Sequence, residues 1–337
     1  MPASHISVAV FGAAGYAGSL AARLLHHHPN FDLRWVTARS DIGRRLDEVY
    51  PHHRVPMILE EADVDRHGSV DAAVVAYPHG ASAAFIAQLR NRGVKVVDLS
   101  ADFRLRELAT YEEWYGAHPE PHLIDHAVYG LPELYREQIA TAELVAGPGC
   151  YPTATILALA PLARAGLIAD VVVDAKSGVS GAGRAATDAT HFVTVDENVN
   201  AYGVPRHRHT PEIEQELAVL GSDTRITFTP HLLPLDQGEL VSCYVTLRDA
   251  GVATAELDAL YRDAYEHEPF VEVVRDPPGV RAVRETNICR ISLHRDDRTG
   301  RVIAFGAIDN LWKGTASQAV QNLNLMFGLP ETTGIPA

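Results

Sequence analysis

The chain has 337 residues, 47% of them hydrophobic and 21% charged. That supplies buried cores for one large or two medium domains and excludes extensive disorder. The formal net charge of −14, from 29 Lys and Arg against 43 Asp and Glu, repels a phosphate backbone, so nucleic acid is not an expected partner, while a small anion needs only a local Arg or a few backbone N–H groups.

Residues 6–11 (Ile-Ser-Val-Ala-Val-Phe) are apolar and β-branched and read as a strand. No basic segment with an apolar core precedes them, so no signal peptide is expected. No apolar run approaches about 18 residues, so no membrane span is expected either. Helical spacing follows over 17–27, then strands at 31–37 and 72–77, a helix at 81–92 and a strand at 94–99. Continuous apolar strands alternating with helices predict a parallel sheet covered on both faces. Residues 105–140, rich in Tyr, Pro and His, read as an irregular excursion. A strand at 143–147 leads to Gly147-Pro148-Gly149-Cys150, and helical periodicity resumes over 152–165, where a domain boundary is placed. Beyond it, 170–176, 224–230, 238–248, 270–274 and 287–294 alternate as strands with few helices between. That pattern predicts a mostly antiparallel second sheet. Residues 314–327 have helical spacing. The fold class is therefore α/β, with a parallel-sheet domain followed by an α+β domain.

The first turn carries chemistry. Gly12, Gly15 and Gly18 follow a strand and open a helix, a spacing that lets the backbone approach a pyrophosphate at a helix N-terminus. Gly12, Ala14, Gly15, Tyr16 and Gly18 are thus candidate nucleotide-binding residues; the plain alternative is an ordinary tight turn. The second strand ends in Arg39-Ser40, a cation and a hydroxyl suited to a 2′-phosphate, which favours NADP(H) over NAD; Asp41 stands one place further on.

Three cysteines, at 150, 243 and 289, form no CxxC pair. They build neither a disulfide framework nor a zinc site, and a reducing cytoplasm is expected. Cys150 opens a helix with Pro152 in its first turn, where the dipole favours a thiolate. Cys243 and Cys289 sit inside strand patterns and read as small buried hydrophobes. A thiol nucleophile needs a proton acceptor, and His207 and His209 precede the helix start Thr210-Pro211-Glu212. The run His26-His27-His28 points three ways and makes no metal site.

The chain resembles the N-acetyl-γ-glutamyl-phosphate reductase family in the segments 12–18, 97–104, 128–133, 148–154, 176–184, 207–213 and 308–314. The resemblance implies a Rossmann domain over 1–149, completed by a C-terminal helix within 312–337, and a catalytic and oligomerisation domain over 150–311. It implies NADPH-dependent reduction of a small acyl phosphate through a Cys150 thioester, in a homodimer or homotetramer with no membrane partner. The family's nucleophile falls on Cys150 and its acid/base on His209, with His207 as nearby rival or substrate contact. Ser180, Gly181, Asn310 and Lys313 fall near the cofactor. Arg104 and Arg184 are candidates for the substrate's phosphate and carboxylate, since Arg pairs with both in bidentate fashion; surface ion pairs are the plain alternative. The chain departs from the family at Gly147, at Asp236-Gln237-Gly238-Glu239 where Arg-Gly and an apolar residue are usual, at Glu285-Thr286 and at Thr315-Ala316-Ser317. These departures keep a differently acylated γ-phosphate open as substrate. A non-catalytic NADP-binding protein is the reading from another class.

Overall fold

The apolar run near the start of the chain becomes β1 (Ile6–Phe11), the strand from which the first unit is built. The computed structural model describes residues 5–336. The chain divides into two units, one running through Gly149 and joined by Thr315–Pro336, the other Cys150–Gly314.

In the first unit β1 is followed by α1 (Tyr16–His26), β2 (Phe31–Thr37), one-turn helices α2 (Leu46–Val49) and α3 (Val64–His67), and β3 (Ala72–Val75). Then come α4 (Ala83–Arg90), β4 (Lys95–Asp98), α5 (Leu108–Tyr115), β5 (Ala127–Tyr129), α6 (Pro132–Thr141) and β6 (Leu144–Ala146). The strands lie in the order β2-β1-β3-β4-β6-β5, all neighbours parallel. Every residue of β3 is buried, as a parallel strand covered on both faces requires. The order reverses between β1 and β3, so the turn leaving β1 lies at the switch point where open α/β sheets bind ligands. The excursion expected at 105–140 is more regular than its composition suggests: it holds α5, β5 and α6. Its one fully covered α5 side chain is Tyr111, so aliphatic periodicity gave no signal. The C-terminal helix Ser317–Met326 packs on α1 and α6. It carries several amides inward, and Asn322 donates to the Gly130 carbonyl at 2.9 Å.

The second unit opens with α7 (Cys150–Arg164), followed by β7 (Ile168–Gly178), α8 (Phe192–Val195), β8 (Asn200–Ala201), α9 (Thr210–Val219) and β9 (Ile226–Leu233). It closes with β10 (Glu239–Leu247), α10 (Thr254–Tyr265), β11 (Val271–Val273), β12 (Cys289–Asp296) and β13 (Arg301–Ile308). The sheet order is β11-β12-β13-β10-β7-β9-β8. Its β11–β12 and β7–β9 pairs are parallel and the other four antiparallel. Four elements were not expected from sequence: the short α8 and β8, and the longer β13 and α10. β13 completes a hairpin with β12 across a turn in which Gly300 takes φ 70°. α10 buries only the stripe Leu257, Tyr261 and Tyr265. α7 lies against β10 and β13 with 13 of its 15 residues buried. Its close approach needs Gly306, where a Cβ would stand 2.8 Å from the Ala154 carbonyl oxygen.

Candidate active site

In the first unit the turn after β1 is pinned by the Gly12 and Ala13 N–H groups, which donate to the Thr37 carbonyl at 2.9 and 2.8 Å. Gly12 takes φ +89°, and a Cβ there would sit 2.4 Å from the Ala76 oxygen. A Cβ on Gly18 would sit 2.3 Å from the Gly12 oxygen. Both glycines are dictated by close packing, whereas Gly15 faces nothing nearer than 3.5 Å. Tyr50 donates its hydroxyl to the Ala14 carbonyl at 2.8 Å, holding the turn from the other side. α1 starts with no side-chain cap and no acidic residue in its first turn, the condition under which a helix start favours an anion. At the end of β2, Arg39 and Ser40 are exposed, and the Arg39 guanidinium stands 5.2 Å from the Tyr77 ring centroid. Asp41 accepts a hydrogen bond from Arg44 at 2.9 Å.

The segment Asp98–Arg104 is an anchor. Asp98 accepts from the Ser100 N–H and hydroxyl at 3.0 and 2.6 Å. Asp102 accepts from the N–H groups of Gly80, Ser82 and Ala83 at 2.6, 3.2 and 3.0 Å, holding the start of α4. Arg104 donates from Nε to the Gly147 carbonyl at 2.7 Å and from Nη2 to the Leu99 carbonyl at 2.9 Å. It ties down the turn that ends this unit. A side chain at Gly147 would meet the Asp98 oxygen at 3.1 Å and Leu99 at 3.2 Å.

In the second unit Cys150 is the first residue of α7, partly exposed, with no acidic residue in the helix's first turn. Cys243 and Cys289 are fully buried, and burial pushes the Cys243 thiol up to about 12. Cys150 is therefore the only one of the three thiols that solvent reaches. Beside it, Tyr151 is ringed by aromatic side chains: His207 and His209 lie 5.9 Å away between ring centroids and Phe228 lies 5.5 Å away. Tyr202 donates its hydroxyl to that of Tyr151 at 3.2 Å. The structure thus brings both histidines to the residue next to the thiol. They differ in state. His207 Nδ1 accepts the His209 backbone N–H at 3.2 Å, and burial, aided by Arg208, lowers His207 to about 4. At neutral pH His207 is a neutral ring with one nitrogen already engaged.

The segments after β7 and β13 meet. Asn310 donates from Nδ2 to the Ser180 hydroxyl at 3.0 Å and accepts the Gly238 N–H at 2.7 Å. A Cβ on Gly181 would approach the Ser177 hydroxyl at 3.0 Å. Asn310 therefore fixes two loops to one another. Lys313 is fully buried, its Nζ 5.7 Å from the Phe270 ring centroid. At Gly314 a Cβ would stand 2.9 Å from the Cys150 Cβ. Arg184 lies on an exposed stretch beyond the 3-10 turn Val179–Ala182.

Sequence reasoning passed over Asp309 and Glu239. Asp309 accepts the N–H groups of Glu285, Leu311 and Trp312 at 2.8, 2.9 and 3.3 Å. Glu239 is fully buried at the start of β10. Its signal was an acid heading an apolar strand, seen only as a departure from the family pattern. Among the described residues no cluster of side chains suits a metal ion, and no helix is long and apolar enough to cross a membrane.

A parallel nucleotide-type unit, joined to a mixed-sheet unit headed by a partly exposed cysteine, defines the semialdehyde dehydrogenase class. Two family models match in that order: the semialdehyde dehydrogenase NAD-binding domain over residues 7–142 and the semialdehyde dehydrogenase dimerisation domain over 150–310. Aspartate semialdehyde dehydrogenase II from Vibrio cholerae, complexed with ASA, shares the fold with a TM-score of 0.74 at 19% identity, over 96% of this chain and 98% of that one. The Candida albicans aspartate semialdehyde dehydrogenase with NADP aligns at 0.71 and 13% identity, over 96% and 99%. Sequence relatives are nearer. The N-acetyl-γ-glutamyl-phosphate reductase of Desulforudis audaxviator is 49% identical over 98% of both chains, and that of Moorella thermoacetica is 48% identical over the same shares. The chain belongs to the N-acetyl-γ-glutamyl-phosphate reductase family.

Proposed function

We propose that this chain reduces N-acetyl-γ-glutamyl phosphate to N-acetylglutamate 5-semialdehyde with release of phosphate, in arginine biosynthesis, with Cys150 as nucleophile and NADPH as reductant. The observation that carries the reading is Cys150 itself: a partly exposed thiol at the first residue of a long helix, two histidines against the neighbouring ring, in a chain nearly half identical to reductases of that name.

The residues of the first unit fit a phosphorylated dinucleotide. Gly12, Ala14, Gly15, Tyr16 and Gly18 form the turn for the pyrophosphate, and Arg39 and Ser40 are exposed for a 2′-phosphate. Asp41, the one acid that would favour an unphosphorylated ribose, is engaged by Arg44. Ser180, Gly181, Asn310 and Lys313 are the further residues that the family resemblance assigns to the cofactor. When bound, the cofactor supplies a hydride to the acyl carbon. Cys150 attacks the acyl-phosphate carbonyl, phosphate leaves, and a thioester remains, which lacks amide resonance and is readily reduced. The C–S bond then breaks and the aldehyde departs. His209 handles the proton on the oxygen side, because His207 is held neutral with Nδ1 engaged. Arg104 and Arg184 are the cations proposed for the substrate's anionic groups. Assembly as a homodimer or homotetramer is supported by the dimerisation-domain match and by exposed Phe192, Val193 and Val199 in that unit, and the cytoplasm is the compartment proposed for it.

The test is phosphate-dependent reduction of NADP by N-acetylglutamate semialdehyde. Cys150→Ser is expected to lower the rate roughly 10⁴-fold. An inactive intact protein that still binds NADPH, and still reacts at Cys150, would move the substrate to a differently acylated γ-phosphate, the reading that Gln237 and Glu239 favour. Bound NADPH with an inert thiol would leave a non-catalytic protein.

A further inference from the structure

Glu239 heads β10 between two neighbours that fix its position: it pairs with Ser177 of β7 and Ile308 of β13. The residue before it is held by the Asn310 side chain. Glu239 is fully buried, its carboxyl lies within reach of the Cys150 thiol, and neither oxygen makes a well-formed hydrogen bond to any described residue. Buried carboxyl groups are ordinarily satisfied, so one that is not calls for a reason.

The groups facing it are Cys150 and Tyr151 from α7, Tyr202 from the loop after β8, and Asp309 at the end of β13, with His207 and His209 bordering Tyr151. None of the first four carries a positive charge, and of them only the Cys150 thiol favours the carboxylate. Burial and, secondarily, Asp309 push the Glu239 carboxyl up to about 8, against the pull of Cys150. At neutral pH it is an acid with a proton to offer.

We propose that Glu239 and Cys150 share one proton, held on the Glu239 carboxyl so that the sulfur attacks as a thiolate, and that the same carboxyl hydrogen-bonds the sulfur when the aldehyde leaves. This rests on Cys150 being the nucleophile. In the first step the S–C bond forms at the acyl carbon, the C–O bond to phosphate breaks, and phosphate departs with the electron pair. It takes up a proton from solvent through His209. After the acyl carbon has been reduced, the C–S bond breaks, the carbonyl re-forms, and the sulfur keeps the electron pair. It returns as a thiolate against the Glu239 O–H. The pair ends with the proton and the charge it began with, so His209 serves only the oxygen side.

A pair that shares a proton titrates in two coupled steps. The experiment is the pH dependence of Cys150 alkylation by iodoacetamide in the full-length protein, with Cys150→Ser giving the background, alongside kcat and KM. The wild-type profile is expected to show two inflections, the second near pH 8. Glu239→Gln and the apolar Glu239→Ile are each expected to show one. The kcat of the reverse reaction falls about 100-fold in both, with KM changed less than about threefold. Two substitutions of opposite polarity guard against a single failure to fold. A two-step profile that survives at residue 239, or a kcat within twofold of wild type, overturns the pairing. Lost activity with the profile intact also overturns it, since that marks packing alone. Alkylation needs no acyl phosphate, so full activity in Cys150→Ser would instead overturn the nucleophile itself.

Discussion

Each unit buries carboxyl groups, and two of them, Asp102 and Glu239, are held in opposite ways. In the first unit Asp102 sits among three backbone N–H groups and Asp98 against Ser100. In the second, Glu239 is equally buried and has no well-formed hydrogen bond among the described residues. A buried carboxylate surrounded by N–H donors holds loops in place, because moving any of them strands a charge. A buried carboxyl without backbone N–H donors holds no loop in place, and what it retains is a proton. The same residue chemistry is architecture at Asp102, and at Asp309 of the second unit, and reactivity at Glu239.

The contrast sharpens first at the two histidines. If the acid/base role belongs to His209, His209→Gln lowers kcat roughly 10³-fold. His207→Gln costs about tenfold, mainly in KM, because that ring is neutral and acts through its hold on the His209 backbone. Equal losses in kcat would place the proton on neither ring alone.

The carboxyl groups themselves give the next effect. Glu239 ionises near 8 when folded and near its ordinary 4.5 when unfolded. The folded chain therefore holds the extra proton between those values, and stability falls as pH rises through the window. Asp98, raised to about 6 mainly by burial, contributes the same sign only below that pH. Buried His53 and His207, both lowered to about 4, contribute the opposite sign below about 6.5. Among these four groups the stretch from pH 6.5 to 8 belongs to Glu239. Glu239→Gln should raise unfolding free energy at pH 8 by about 3 kcal/mol and flatten that stretch. Urea denaturation at pH 6.5 and 8 measures it, and an unchanged slope would break the contrast. Asp102→Ala should do the reverse, costing about 2 kcal/mol at neutral pH, since three N–H groups at the start of α4 lose their acceptor.

The first unit was largely legible in sequence because its strands are continuous apolar runs and its turn is fixed by sterics. Gly12 and Gly18 are glycine because any Cβ would strike the backbone within 2.4 Å. The second unit was less legible. α10 carries only a narrow apolar stripe, and β13, an apolar run that closes a hairpin with β12, also pairs with β10, more than 50 residues away, as Glu239 opposite Ile308 shows. Cys150 stood out by its place at a helix start, whereas Arg104 was read for its charge and proves to be bonded to two carbonyls of its own unit. Glu239 showed only as an acid heading an apolar strand and no local pattern marks Asp309; the meaning of both comes from sheet register and burial.

The smallest effect tests the nucleotide end. Arg39 is exposed at the tip of β2, its guanidinium beside the Tyr77 ring, and Arg44 engages Asp41. If Arg39 faces a 2′-phosphate, Arg39→Ala should raise KM for NADPH about tenfold while leaving KM for NADH within twofold, since only the phosphorylated ribose loses a partner. The change in kcat should be slight, because a contact made equally before and during reaction alters binding and not the barrier. Arg44→Ala supplies the complement: releasing Asp41 offers a carboxylate to a ribose hydroxyl, so NADH should improve relative to NADPH. Equal losses for both cofactors in Arg39→Ala would make Arg39 a packing residue over Tyr77, and the preference for the phosphorylated cofactor would have to come from elsewhere in the turn.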